Sequence, residues 1–240
     1  MTPPLKMNPS KRPFVLVNMA MTADGKIATA NRAVTSFGSD RDREHLYALR
    51  ATADAVMCGA RTVELSQATL DTGGEKFRRR RLKSGRAEHP VRVIVSGSGS
   101  IDLASEIFRV KTSPLIVLTT RRVTPKKREL LCGLTDEVKS FGDRELHFLA
   151  ALLWLRKAWG VKRLLCEGGG ALNDALFRAG LVDEIHLTLC PKIFGGRMAP
   201  TIADGLGFGS LKAAGRYRFT SVRPVRDELF IVLTRTPSGG

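Results

Sequence analysis

The segment Arg163–Gly196, RLLCEGGGALNDALFRAGLVDEIHLTLCPKIFGG, leaves few architectures open. Val161–Cys166 is short, apolar and bounded by turn residues, which predicts a buried strand. Glu167 follows, then Gly168, Gly169 and Gly170. Ala171–Ala179 places Leu172, Leu176 and Ala179 on one helical face, and Gly180 sits where a helix stops. A second apolar run follows, so the unit reads as strand, glycine turn, helix, strand, and such units build parallel sheets. A glycine run entering a helix lets backbone N–H groups approach a phosphate, and the helix dipole adds attraction for an anion. Glu167, an acid beside that turn, is better placed for another polar ligand group. The alternative is a tight strand-to-helix turn with a solvent-facing Glu.

Upstream, the same alternation repeats. Pro13–Ala20 (PFVLVNMA) is apolar nearly throughout, as expected for a strand covered on both faces. Met21–Ala28 holds an Asp24-Gly25 turn, either a simple turn or a ligand loop. Ser39 predicts a helix N-cap with Asp42 in a loose capping box, and Leu46, Leu49 and Ala53 form the apolar stripe. Arg50, near that helix end, either favours the helix dipole or reaches an anionic ligand. Asp54–Cys58 is the next strand, leading through Gly59 to Thr62 at the start of a helical turn. Val91–Val95 precedes the small-residue loop Ser96–Ser100, suited to phosphate contacts or to plain linkage. Leu115–Leu118 is another strand, and Arg144–Trp159 another helix. Tyr217–Val222 and Glu228–Thr234 flank a turn and read as an antiparallel hairpin. The predicted fold class is α/β: a mixed, mostly parallel sheet with helices on both faces and a closing hairpin. Loops after separate strands then gather at one carboxyl edge, the usual place for a dinucleotide.

The charge balance tests a different class of function. With 39 Lys+Arg against 23 Asp+Glu, the chain carries +16, which invites a nucleic-acid partner. The dense run Lys76–Arg86 reads as an inserted surface loop, and the cluster from Arg121 to Arg128 opens a helix. Neither has the interleaved aromatics of a base-stacking platform, so a solvated basic face that attracts anionic metabolites is preferred. Cys58, Cys132, Cys166 and Cys190 have no CxxC pairing and no histidine at ligand spacing. Buried free thiols in a reducing cytoplasm are expected, with no metal site. No apolar run approaches the roughly 20 residues of a membrane span. The domain plan is a loose leader over residues 1–12, one domain over 13–235 and a disordered tail over 236–240.

Three segments carry a family resemblance: MAMTADGKIA at Met19–Ala28, LRATADAVMCGARTV at Leu49–Val63, and the glycine unit from Glu167 to Gly196. In order and content they resemble the NADPH-dependent reductase of riboflavin biosynthesis, over nearly the whole chain from Pro13. The deaminase signature H-x-E with P-C-x-x-C is absent, so the likeness is to the stand-alone reductase form. The resemblance implies a dihydrofolate-reductase-like fold, a homodimer and NADPH as cofactor. The implied reaction is hydride transfer to C1 of a ribosylamino-pyrimidine 5′-phosphate, giving the ribitylamino product. By position it implies cofactor contacts at Ala20, Thr62, Ser66, Ser96, Ser98 and Gly168–Asn173 (Gly168, Gly169, Gly170, Ala171, Leu172, Asn173). It implies a substrate-contacting, catalytic Glu167 and a basic substrate contact at Arg50. Ser98, Arg121 and Arg122 are candidates for the adenosine 2′-phosphate.

The pattern also departs from the family. Where an acid, a proline and a phosphate-binding arginine are usual, the chain has Ser66, Gln67, Ala68, Leu70 and Gly73. Ser36 stands where a tryptophan is common. Either the Lys76–Arg86 run supplies substitute cations, or the pocket takes another heterocycle such as a pterin or dihydrofolate. A basic nucleic-acid-binding protein on an inactive scaffold is the third reading.

Overall fold

The computed structural model describes residues 11–33 and 36–236. Among these residues nine strands form one sheet in the order β5-β4-β3-β2-β6-β1-β7-β9-β8. The strands are β1 (Phe14–Thr22), β2 (Ala55–Gly59), β3 (Val91–Val95), β4 (Leu115–Thr119), β5 (Glu137–Ser140), β6 (Arg163–Cys166), β7 (Glu184–Cys190), β8 (Tyr217–Val225) and β9 (Glu228–Arg235). Pairing is parallel from β5 through to β7. It is antiparallel at β7–β9 and β8–β9. The predicted mixed sheet with its closing hairpin is what forms.

The apolar strands explain the layering. In β1, Val15 and Val17 face one buried cluster and Leu16 the opposite one. Helices α6 (Phe148–Trp159) and α7 (Gly170–Arg178) cover the first face. On the second lie α1 (Asp40–Thr52), α2 (Ala60–Ser66), the short α4 (Glu106–Arg109) and α5 (Pro125–Cys132). A sheet covered on both faces needs apolar residues at every position, which is why these strands show no alternation.

The sequence misplaces or misses five features. Lys76–Arg86 is no loop: α3 (Glu75–Lys83) occupies most of it and packs against α1. Phe77 and Arg81 supply its buried side, at the four-residue spacing of one helical face. Arg81 is only 1% exposed. Its Nη1 donates to Arg50 O (2.8 Å) and Ala53 O (2.5 Å), and its Nε to Ala87 O (2.8 Å). A buried cation thus closes the carbonyl end of α1. Lys76, Arg78 and Arg79 of the same helix pair with Glu44, Glu88 and Glu75. Strand β5 and helix α4 were not anticipated, because four-residue elements carry too little periodicity. The helix expected from Arg144 begins at Phe148, with His147 as N-cap. Cys58, Cys166 and Cys190 are buried free thiols as expected, but Cys132 is exposed.

Arg12, assigned from sequence to the leader, is buried and holds Asp183 through two nitrogens at 2.7 and 2.6 Å. Residues 1–10 of that leader and 237–240 of the expected tail lie outside the described residues. No helix among the described residues is long and apolar enough to cross a membrane.

Candidate active site

The carboxyl ends of β1, β2, β3 and β6 open into one cavity of about 1490 Å³. Its floor is the end of β6. There Glu167 meets Arg50, which comes from the last turn of α1. Nε of Arg50 donates to Oε1 at 2.5 Å and Nη2 to Oε2 at 2.7 Å. The third guanidinium nitrogen, Nη1, donates to Asp71 O at 2.7 Å. The guanidinium also lies 5.6 Å from the Tyr47 ring centroid. Burial opposes the charge on Arg50, but the adjoining Glu167 carboxylate overrides it and raises the pKa above the ordinary arginine value. The pair is a fork-to-fork contact with both oxygens engaged. Arg50, expected to touch substrate, therefore spends every nitrogen inside the protein.

Beside Glu167 lies the glycine turn. Gly168 and Gly169 take φ of +76° and +50°, a region that favours glycine. Gly168 O accepts from Gly59 N at 2.9 Å, which stitches the β6 turn to the entry of α2. A Cβ on Gly169 would come within 3.1 Å of Thr62 Oγ1, and one on Gly170 within 2.7 Å of Thr201 O. Helix α7 therefore begins against neighbouring backbone with no side-chain cap at Gly169. Its first N–H groups have no intrahelical partner.

Of the residues named from sequence, Ala20, Arg50, Thr62, Ser66, Ser96, Ser98, Glu167, Gly169, Gly170, Ala171 and Leu172 line the cavity. Gly168 does not. Asn173 does not either, a correction with a clear cause. Its Nδ2 donates to Ile202 O at 2.8 Å, its Oδ1 accepts from Cys166 Sγ at 3.5 Å, and it is wholly buried. It anchors the segment after β7 to the sheet. Arg121 and Arg122 stay outside the cavity, and Arg121 pairs with Asp143 at 3.0 Å. No residue of the Lys76–Arg86 run lines it, so that run supplies no substitute cations there. The lining cations are Arg32, Arg43, Arg50, Arg61 and Arg178.

The Asp24-Gly25 turn is a tie. Asp24 accepts from Thr22 Oγ1 (2.5 Å), Gly195 N (2.7 Å) and Phe194 N (3.2 Å). The Thr22 hydroxyl and those two amides hold its carboxyl below the usual range. It pins the segment after β7, from which Pro200 and Asp204 reach the cavity. The departure at Gly73 is also explained: with φ +83°, a Cβ would lie 2.7 Å from the Tyr47 ring. Sequence reasoning missed Asn18, whose place in β1 looked like core, and Tyr47, which no helical pattern distinguishes.

Comparisons with known proteins agree with this architecture. The chain is 34% identical over 197 residues to the 2,5-diamino-6-ribosylamino-4(3H)-pyrimidinone 5′-phosphate reductase of Archaeoglobus fulgidus, covering 82% of this chain and 89% of that one. Against the reductase of the same name from Methanothermobacter thermautotrophicus, identity is 31%, with 93% and 98% covered. A pyrimidine reductase-like protein from Corynebacterium diphtheriae superposes with a TM-score of 0.79 at 20% identity, covering 98% of this chain and 96% of that one. Acinetobacter baumannii RibD superposes at 0.75 with 22% identity, covering 95% of this chain but 59% of that longer chain. The fold is that of the RibD reductase domains, dihydrofolate-reductase-like. Residues 13–229 match the RibD C-terminal domain, and the chain belongs to that family.

Proposed function

We propose that this chain is an NADPH-dependent reductase of riboflavin biosynthesis. It converts the ribosylamino group of 2,5-diamino-6-ribosylamino-4(3H)-pyrimidinone 5′-phosphate, the compound its relatives are named for, to ribitylamino. The observation that carries this reading is a buried, fully paired carboxylate, Glu167, at the floor of a large cavity and next to an uncapped glycine turn.

The residues present fit a dinucleotide phosphate. Gly169 lets the turn lie against the Thr62 hydroxyl, and that hydroxyl with the first N–H groups of α7 offers donors. Ser96 and Ser98 line the wall beyond β3. The cavity exceeds the roughly 300–1,000 Å³ of a drug-sized site, in keeping with two ligands bound side by side. When bound, NADPH supplies the hydride that reaches C1 of the sugar. The chain's own part is orientation, exclusion of water and charge. Glu167, held in place by Arg50, is positioned to stabilise an iminium-like cation at the sugar carbon. Arg32 and Arg61 supply positive charge for phosphate groups, while Arg43 and Arg178 pair with Asp40 and Asp174.

A homodimer belongs to the same reading. Strand β8 ends the sheet, and Phe219 and Val222 on it are 68% and 53% exposed. A second copy would cover them. Light scattering giving a monomer mass removes that part. The three buried free thiols accord with a reducing cytoplasm.

The deciding assay follows NADPH oxidation at 340 nm with the ribosylaminopyrimidine phosphate. Saturable NADPH binding without oxidation would shift the substrate to another heterocycle, with dihydrofolate as the next compound assayed.

A further inference from the structure

Among the described residues, five arginines line the cavity, and three of them are already committed. Arg50 gives its nitrogens to Glu167 and Asp71 O, Arg43 donates to Asp40 at 2.6 Å, and Arg178 donates to Asp174 at 2.9 Å. Arg32 and Arg61 have no hydrogen-bond or ion-pair partner among the described residues. The sheet separates these two. Gly59, at the end of β2, pairs with Val95 at the end of β3, and its N–H donates to Gly168 O. Arg61, two residues further on, therefore lies among the turns that carry Thr62, Ser96 and Gly169. Arg32 belongs to the connection from β1 to α1, on the opposite flank of Glu167, because β6 runs between β2 and β1.

Arg32 is held in this place by its own turn. Its N–H donates to Thr29 O at 2.8 Å, and Asn31 Oδ1 braces the turn by accepting from Thr29 Oγ1 and Ala33 N. The turn sets Arg32 at φ +60°, a conformation that glycine takes more easily than any residue with a side chain. A strained position that nonetheless carries an unpaired guanidinium calls for a use of that side chain. Ser36, four residues on, lines the same wall, and its hydroxyl is engaged by no described residue.

Resting on the reductase reading above, we propose that Arg32 recognises the 5′-phosphate of the substrate, with the Ser36 hydroxyl as a second donor, while Arg61 serves the phosphates of the dinucleotide. A guanidinium offers a phosphate monoester both a charge and paired N–H donors, and the hydroxyl adds one more. The phosphate is remote from the sugar carbon that receives the hydride. Its binding energy therefore goes into fixing that carbon near Glu167 and the cofactor. Arg32 is a binding residue for the reduction and takes no part in the transfer itself.

The test compares 2,5-diamino-6-ribosylamino-4(3H)-pyrimidinone 5′-phosphate with its dephosphorylated riboside in the wild type, Arg32→Gly, Arg32→Lys and Arg61→Ala. Glycine suits the positive φ, so Arg32→Gly removes the side chain without adding backbone strain. The wild type should favour the phosphorylated compound by about 100-fold in kcat/KM. Arg32→Gly should bring that ratio to within about 10-fold, chiefly through a higher KM for the phosphorylated compound, and Arg32→Lys should fall between the two. Arg61→Ala should raise the KM for NADPH and keep the wild-type ratio. Equal turnover of both compounds by the wild type, an unchanged ratio in Arg32→Gly, or loss of the ratio in Arg61→Ala overturns the proposal. If the wild type turns over neither compound, the reductase reading fails, and calorimetry with ribose 5-phosphate decides the phosphate site separately. Saturable binding that weakens by about 10-fold or more in Arg32→Gly supports it. No binding, or equal binding by the variant, overturns it.

Discussion

Arg50 and Glu167 hold each other by two hydrogen bonds, 2.5 and 2.7 Å long, with side chains 7% and 10% exposed. Neither charge has water to fall back on. Replacing Arg50 by Met strands a buried carboxylate and should destabilise by about 3–5 kcal/mol, read as a lower urea midpoint. The paired replacement Arg50→Met with Glu167→Leu should recover most of that stability and none of the turnover. A double variant no more stable than Arg50→Met would show that the pair contributes beyond charge compensation.

Gly73 and Tyr47 are coupled by shape. Gly73→Ala places a Cβ against the ring at positive φ and should cost about 2 kcal/mol. In the background of Tyr47→Ala the same change should cost less, by roughly 0.5–1 kcal/mol. A double-mutant cycle with no coupling would contradict the contact.

His45 makes stability depend on acidity. Burial, then the neighbouring His186 and Arg223, push its pKa down from 6.5 to about 4. Its Nε2 lies 3.1 Å from His186 Nδ1, and His186 Nε2 lies 2.8 Å from Glu184 Oε1. The unfolded chain takes up a proton near pH 6.5, and the native chain holds off until about pH 4. Stability therefore falls as pH drops through that window and is unaffected above it. Discounting for partial exposure, the loss is on the order of 2 kcal/mol. Urea midpoints at pH 7.5, 5.5 and 4.5 should converge between wild type and His45→Gln as the pH falls. Parallel curves would refute the assignment.

Arg81 differs from its neighbours in kind. Arg81→Met removes three donations to backbone carbonyls at the foot of α1 and should cost about 2–4 kcal/mol. Burial, then Arg86, brings its pKa down to about 10, with Asp54 opposing, so it remains charged at neutral pH. Arg79→Ala and Arg80→Ala, at exposed positions, should change stability by about 0.5 kcal/mol or less. Thermal melts of the three variants suffice.

The strand-and-helix plan was legible because apolar runs and glycine stops act locally. Ser39 is the N-cap expected, and Gly180 does follow the end of α7. What escaped depends on partners distant in sequence. Asp42 has the spacing of a capping box, but Glu228, 189 residues beyond Ser39, takes the amide. Arg81 sits in a run of like charges that marks a surface, and only the carbonyls at the end of α1 make one member of that run a buried residue. Asn173 belongs to the glycine turn by sequence but turns inward because Ile202 O lies within reach. Local pattern names the elements; long-range satisfaction of polar groups decides which side chains face the cavity.

Strand β1 lies between β6 and β7, whose residues follow it by about 150 positions. During synthesis the first strand leaves the ribosome long before either neighbour exists. Its apolar stretch, Val15–Val17, must wait with one edge unpaired until Cys166 has been made and the other until Cys190. Closing so long a loop is slow, and a nascent strand open on both sides is the segment most exposed to wrong pairing. Chains truncated before β7 should accumulate as aggregates, and a chaperone that shields the first strand should raise the yield of native protein more than one acting on the finished chain.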